Sequence, residues 1–190
     1  MGTTRSFYFI KNRNFSKKDI TEALNHFKSV KEEFVMQEKL QIYYHEALKW
    51  LPVFSEDLAW QAEEMPEEFI ERLGKEFCTE VIALSVMDSD VTFLKTYENG
   101  MIQKFICADE FIVNEFGFED YSTKFPVVLD KMGLNPFHVR KIWNPEKYFD
   151  EVDLLYDMFG LMETFPVFEE DDESVRGIVK ERDIEIIEIY

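Results

Sequence analysis

Apolar and polar positions change period several times along the chain, and each change predicts an element. Ser6-Phe-Tyr-Phe-Ile10 is a short apolar run that reads as a strand. Ser16-Lys-Lys-Asp19 follows, with a Ser suited to an N-cap and an acid three residues later. From there Ile20, Ala23, Leu24, Phe27, Val30 and Phe34 recur at helical spacing. Glu38 to Trp50 carries two patterns at once. Leu40, Ile42 and Tyr44 alternate as in a strand, whereas Tyr44, Leu48 and Leu51 suit a helix. Pro52 is expected to end whichever forms. Ser55-Glu-Asp-Leu58 reads as a second capped helical turn. Met65-Pro66-Glu67-Glu68 predicts a third helix, with Pro in the first turn and Phe69, Ile70, Leu73 and Phe77 on one face.

Thr79 to Cys107 changes to strand patterning. Val81 to Val86 is almost continuously apolar, as in a strand covered on both faces. Val91 to Tyr97 alternates, and Met101 to Cys107 answers it across Glu98-Asn99-Gly100. Asn-Gly is the strongest short hairpin signal. From Ala108 the pattern is helical, over about 108–115, 122–132, 136–142 and 146–160, with Gly133 and Gly160 as C-terminal caps. Asn144-Pro145-Glu146 opens the last of these. Glu169 to Glu173 is an acidic loop, and Ile184, Ile186, Ile187 and Ile189 predict a final strand. The predicted fold class is α+β: an antiparallel β-meander, about 79–107, flanked by N-terminal and C-terminal helices. Residues 1–190 read as a single domain whose C-terminal part, about 108–190, is helical and acidic.

Composition narrows the class. Hydrophobic residues make up 46% of the 190, and 19 Phe, 8 Tyr and 3 Trp can fill a core, which excludes a disordered chain despite the charge. No apolar run approaches the ~20 residues that span a bilayer. Met1-Gly-Thr-Thr-Arg-Ser6 runs straight into a strand rather than a secretory leader, and it matches a myristoylation pattern only loosely. Cys78 and Cys107 lie among apolar residues at strand-like positions, so both are expected to be reduced core residues in a cytoplasmic protein.

The net charge of −18 is unevenly spread. Residues 1–49 hold nine Lys/Arg against six Asp/Glu; residues 150–190 hold three against fourteen. Such a surface repels nucleic-acid phosphates and anionic membrane, so a specific partner is expected to be a basic protein.

Asp88-Ser89-Asp90-Val-Thr92 is the one stretch resembling catalytic chemistry. After an apolar strand, D-x-D-x-T resembles the first motif of haloacid-dehalogenase-type phosphohydrolases. That resemblance implies Asp88 as nucleophile, Asp90 as general acid/base, and Mg²⁺ between them. Lys131 or Lys141 and Asp171-Asp172 would then serve as the later motifs. D-x-D also resembles the metal-binding motif of nucleotide-sugar glycosyltransferases. Both families need alternating β/α units, whereas here Thr92-Phe-Leu-Lys continues as a strand toward the Asn-Gly hairpin. Asp and Ser bond their own backbone in tight turns, so the residues favour Asp88–Asp90 as a turn. A metal-dependent phosphohydrolase or phosphotransferase using Asp88 and Asp90 is the alternative. His26, His45 and His138 form no metal-binding pair by spacing, and there is no phosphate loop or G-x-S-x-G. No cofactor is expected.

The DSD–Asn-Gly meander, together with Pro145-Glu-x-Tyr-Phe-Asp-Glu-Val-x-Leu-Leu155, resembles small acidic bacterial proteins of unknown function, some of which are toxin-immunity proteins. The resemblance implies a non-catalytic protein whose acidic face caps a basic, nuclease-like partner. The carboxylates expected to do so are Glu169, Glu170, Asp171, Asp172 and Glu173, with Asp150, Glu151 and Asp153. The sequence sets no oligomeric state.

Overall fold

The computed structural model describes residues 5–29, 40–55, 67–87, 91–107, 180 and 183–189. The four helices expected within 108–160 and the turn expected after Ser55 lie outside these residues. The chain divides into two compact units. One comprises Arg5–Ser85, Leu94–Lys104 and Glu185–Tyr190; the other comprises Met1–Thr4, Val86–Phe93 and Phe105–Ile184. Most described residues belong to the first.

The described strands are β1 (Arg5–Lys11), β2 (Leu40–Tyr44), β3 (Trp50–Ser55), β4 (Val81–Met87), β5 (Val91–Glu98), β6 (Met101–Cys107) and β7 (Glu185–Ile189). The helices are α1 (Lys17–Ser29) and α2 (Glu67–Glu76). The strands form one sheet in the order β6-β5-β4-β1-β3-β2-β7. The β1–β3, β2–β3 and β2–β7 pairs are antiparallel. The Lys11 N–H donates to the Glu80 carbonyl (2.9 Å), so the end of β1 meets the start of β4 and these also run antiparallel. Three residues separate β4 from its neighbour β5, and two separate β5 from β6. A parallel crossover needs about a dozen, so these pairs are antiparallel too. The class is α+β, as the patterning predicted.

The strands expected at Ser6–Ile10 and around Ile184–Ile189 form, and each reaches further or stops sooner by a residue. The ambiguous stretch resolves into β2, a turn and the start of β3. The N-terminal half is therefore not simply helical, because β1, β3 and β2 occupy the middle of the sheet. Pro52 does not end an element; it sits inside β3 opposite Phe9. The ladder explains why it is tolerated. The Asn12 N–H donates to the Lys49 carbonyl (2.9 Å), marking that pair as hydrogen-bonded. Bonded and non-bonded pairs alternate, so Phe9↔Pro52 is a non-bonded pair and the Pro52 nitrogen faces β2. The β2–β3 ladder runs from Leu40↔Ser55 to Ile42↔Val53 and stops there, so Pro52 stands at its end and its missing N–H forfeits at most the one bond that would extend it. Ser55 closes β3.

Register assigns the two faces. Tyr8, Val53, Ile42 and Ile187 share one face, with Ile10, Leu51 and Leu40 beside them. All are buried, and Tyr8 meets Phe69 of α2 edge to face with ring centroids 5.1 Å apart. Phe9, Trp50, Pro52, Gln41 and Tyr43 occupy the opposite face and are buried as well. Burial on both faces removes the polar alternation of an ordinary antiparallel strand. That is why Leu40–Tyr44 carried no clear period.

The two helices are locally specified. The Asp19 N–H donates to Ser16 Oγ (3.2 Å), and Asp19 Oδ2 accepts from the Ser16 N–H (2.8 Å) and hydroxyl (2.7 Å). This reciprocal cap satisfies two donors that the first turn leaves unpaired. Ile20, Leu24 and Phe27 then face inward. On α2, Phe69, Ile70, Leu73 and Gly74 are buried. Gly74 lies flat on the Tyr97 ring of β5, where a Cβ would overlap the ring atoms.

α2 ends in a Schellman motif. The Thr79 N–H reaches the Gly74 carbonyl (3.1 Å) and the Cys78 N–H reaches the Lys75 carbonyl (3.3 Å), with Cys78 at φ 47°. Glycine normally occupies that left-handed position. Cys78 is exposed, so the expectation of a buried strand cysteine is corrected at this site. The left-handed turn points its side chain away from the core. The Cys107 side chain lies outside the described residues. Asn99 (φ 53°) and Gly100 (φ 81°) form the expected two-residue hairpin turn between β5 and β6.

Gly74→Ala should cost about 1–3 kcal/mol by overpacking, read by urea unfolding. In a Tyr97→Ala background the same change should cost clearly less, because the overlap has been removed. Cys78→Gly should stabilise by about 0.5 kcal/mol. It relieves a left-handed strain of about 1–2 kcal/mol, partly offset by the larger entropy of the unfolded glycine.

Candidate functional site

Asp88 and Asp90 lie outside the described residues. So do Glu169, Glu170, Asp171, Asp172, Glu173, Asp150, Glu151 and Asp153. Asp88–Asp90 is the whole connection between β4 and β5, two strands that neighbour each other in the sheet.

Three groups of charged side chains tie elements together among the described residues. The first closes one end of the sheet. The Glu80 carboxylate accepts from Lys11 Nζ (2.9 Å) through one oxygen and from Arg13 (2.7 Å) and the Thr79 hydroxyl (3.2 Å) through the other. Thr79 Oγ1 also lies 3.0 Å from the Lys11 carbonyl, and it donates to one of these two acceptors at a time. Burial pushes the Glu80 carboxyl up, but Arg13 and Lys11 outweigh it and bring it down to about 2. Beside this group, Asn12 Nδ2 donates to the Leu48 carbonyl (2.8 Å) and Lys11 Nζ lies 6.0 Å from the Trp50 ring centre.

The second group lies where α2 begins. The two-residue turn at Asn99-Gly100 sets Lys95 directly opposite Lys104, a like-charge pair that destabilises a hairpin unless it is answered. Glu67, in the first turn of α2, pairs with both. The hydrogen bond from Lys104 holds the Glu67 carboxyl below its usual range, against the effect of burial. Burial lowers the Lys95 amine, which Glu67 partly counters.

The third group joins the helices. His26 Nδ1 and Glu76 Oε2 are 2.7 Å apart. The Arg72 guanidinium donates to the Phe27 carbonyl and lies over the Phe27 ring, 4.1 Å from its centre. His45 Nδ1 accepts from the Ala47 N–H (3.1 Å), an ordinary turn contact. His138 lies outside the described residues. Among the described residues there is no group of three or more His, Cys, Asp or Glu that could hold a metal ion.

These groups stabilise the fold by pairing acids with bases. None of them was legible in the sequence, because Lys11 and Glu80 are 69 residues apart and nothing local links them. The division into units sharpens the charge asymmetry instead. The unit containing 105–184 holds twenty-one Asp/Glu against eight Lys/Arg; the other holds eighteen against thirteen. In the unit containing Arg5–Ser85, Glu22, Glu67, Glu71, Glu76, Glu80 and Glu185 each contact a base. The acidic excess sits mainly in the unit containing 105–184.

Comparison with protein-family models, curated proteins and solved structures finds no match to this chain. Among the described residues no helix is long and apolar enough to cross a membrane.

Glu80→Gln should cost about 1–3 kcal/mol at neutral pH, the worth of hydrogen bonds to a buried charge. The wild-type carboxyl titrates near 2 when folded and near 4.5 when unfolded. Its contribution is therefore complete above about 4.5 and is lost as pH falls toward 2. The stability gap between wild type and Gln should close over that window in urea titrations at stepped pH.

Proposed function

We propose that this chain is a non-catalytic, protein-binding α+β protein that engages a basic partner through its acidic C-terminal part. Toxin immunity in the bacterial cytoplasm is the sharpest form of the proposal. The acidic part is read as helical, with Glu169, Glu170, Asp171, Asp172, Glu173, Asp150, Glu151 and Asp153 facing the partner. The observation that carries it is the charge asymmetry between the two units. An excess of like charge repels itself, and a basic partner relieves that repulsion on binding. The pairing of acids with bases elsewhere supports the same reading, since those carboxylates are already engaged in the fold. A turn at Asp88–Asp90 is favoured over a catalytic pair because the strands on either side are neighbours.

Electrostatic steering acts mainly on the association rate. Replacing Glu169–Glu173 by Lys should slow association with a partner copurified from the native host at least about tenfold. Wild type in 0.5 M salt should show a similar loss, because the Debye length shrinks to a few Å. An unchanged rate in both experiments sinks the proposal.

A further inference from the structure

Two large hydrophobic side chains are exposed among the described residues, Met101 (64%) and Ile186 (40%). Both lie on terminal strands of the sheet, Met101 on β6 and Ile186 on β7. A terminal strand presents backbone N–H and C=O groups along its outer side, a template for one more strand. The two edges differ in charge. β6 carries Lys104, with Lys95 opposite it on β5. β7 carries exposed Glu185 and Glu188, with Asp183 exposed just before it; Glu185 pairs with Lys17 of α1, and Glu188 accepts from Gln41.

We propose that β7 is a docking edge that takes an extended, basic segment of a partner protein as an added antiparallel or parallel strand. Resting on the reading of a basic partner, this names where the segment lies. Side chains on an added strand stand beside those of β7 on each face of the sheet. On one face they meet Ile186 and Glu188, on the other Glu185, Ile187 and Ile189. The Ile186 face thus offers apolar contact next to the Glu188 carboxylate, which suits Lys or Arg alternating with Val or Ile; on the other face Glu185 already pairs with Lys17. Charge complementarity selects this occupant over a second copy. A β7–β7 pair would bring together two chains of net charge −18, with two acidic edges adjoining. β6 has no carboxylate of its own to attract the same segment.

The probe is a synthetic eight-residue peptide alternating Lys and Val, with a Glu-Val peptide as its control, added to the full chain. Backbone amide hydrogen exchange is read residue by residue. Expected are slowed exchange at residues 185–189 with the Lys-Val peptide and none with the Glu-Val peptide. Glu188→Lys should weaken the effect several-fold while Gln41→Ala, which removes a partner of Glu188 without changing charge, should not. Thermal unfolding of each variant confirms that β7 is intact. Slowed exchange confined to 150–173 would overturn the edge proposal and leave the acidic-surface reading standing. Binding with no change at 185–189, or equal protection by both peptides, would overturn it as well. The rate experiment on Glu169–Glu173 fails or succeeds independently of this one.

Discussion

Phe69 ties the first compact unit together. Its ring is almost fully buried and meets Tyr8 of β1 at 5.1 Å and Phe27 of α1 at 5.9 Å, both edge to face. One side chain of α2 therefore sets the height of two helices over the central strand. Arg72, three residues on, reinforces the same junction by bonding the Phe27 carbonyl and covering the Phe27 ring. Removing such a ring from a closed core costs about 3–5 kcal/mol, a large share of what holds a domain folded. Gly74, two turns along α2 from the helix start, lets the backbone settle onto Tyr97. The helix–sheet spacing is thus set by a large residue at one point and by a missing side chain at another.

The sheet beneath is buried on both faces at its centre. That arrangement is uncommon for antiparallel strands, which usually keep one face wet. It explains the apolar composition of β1–β3 and the buried Gln41 and Trp50 within them. It also leaves the terminal strands as the places where the sheet meets solvent. The ion groups around Glu80 and Glu67 sit at element ends and close gaps that apolar packing leaves open.

Charge is divided unevenly between the two units. Glu22, Glu67, Glu71, Glu76, Glu80 and Glu185 pair with bases; the net acidic excess is concentrated in the unit containing 105–184. A fold of this kind lends itself to electrostatic recognition, where long-range attraction sets the encounter and a limited contact holds the complex. An acidic sheet edge fits the same logic, since acids on an edge discourage pairing between copies and leave room for a basic strand.

Local chemistry was decided by the sequence alone wherever the interacting groups lie within a few residues. The Ser16–Asp19 cap, the Asn99-Gly100 turn and the apolar run of β4 are of this kind. The acidic bias of the C-terminal part is equally legible, because charge is a sum over residues. Tertiary structure decided the rest. Pro52 reads as a terminator until the register places it inside β3, at the end of the β2–β3 ladder. Cys78 reads as a strand residue until the Schellman turn puts it outside. Lys17 pairs with Glu185, 168 residues away, and Gln41 with Glu188, 147 away. Such partners are chosen by strand order, and strand order is a property of how the whole apolar surface is buried, which no local window contains.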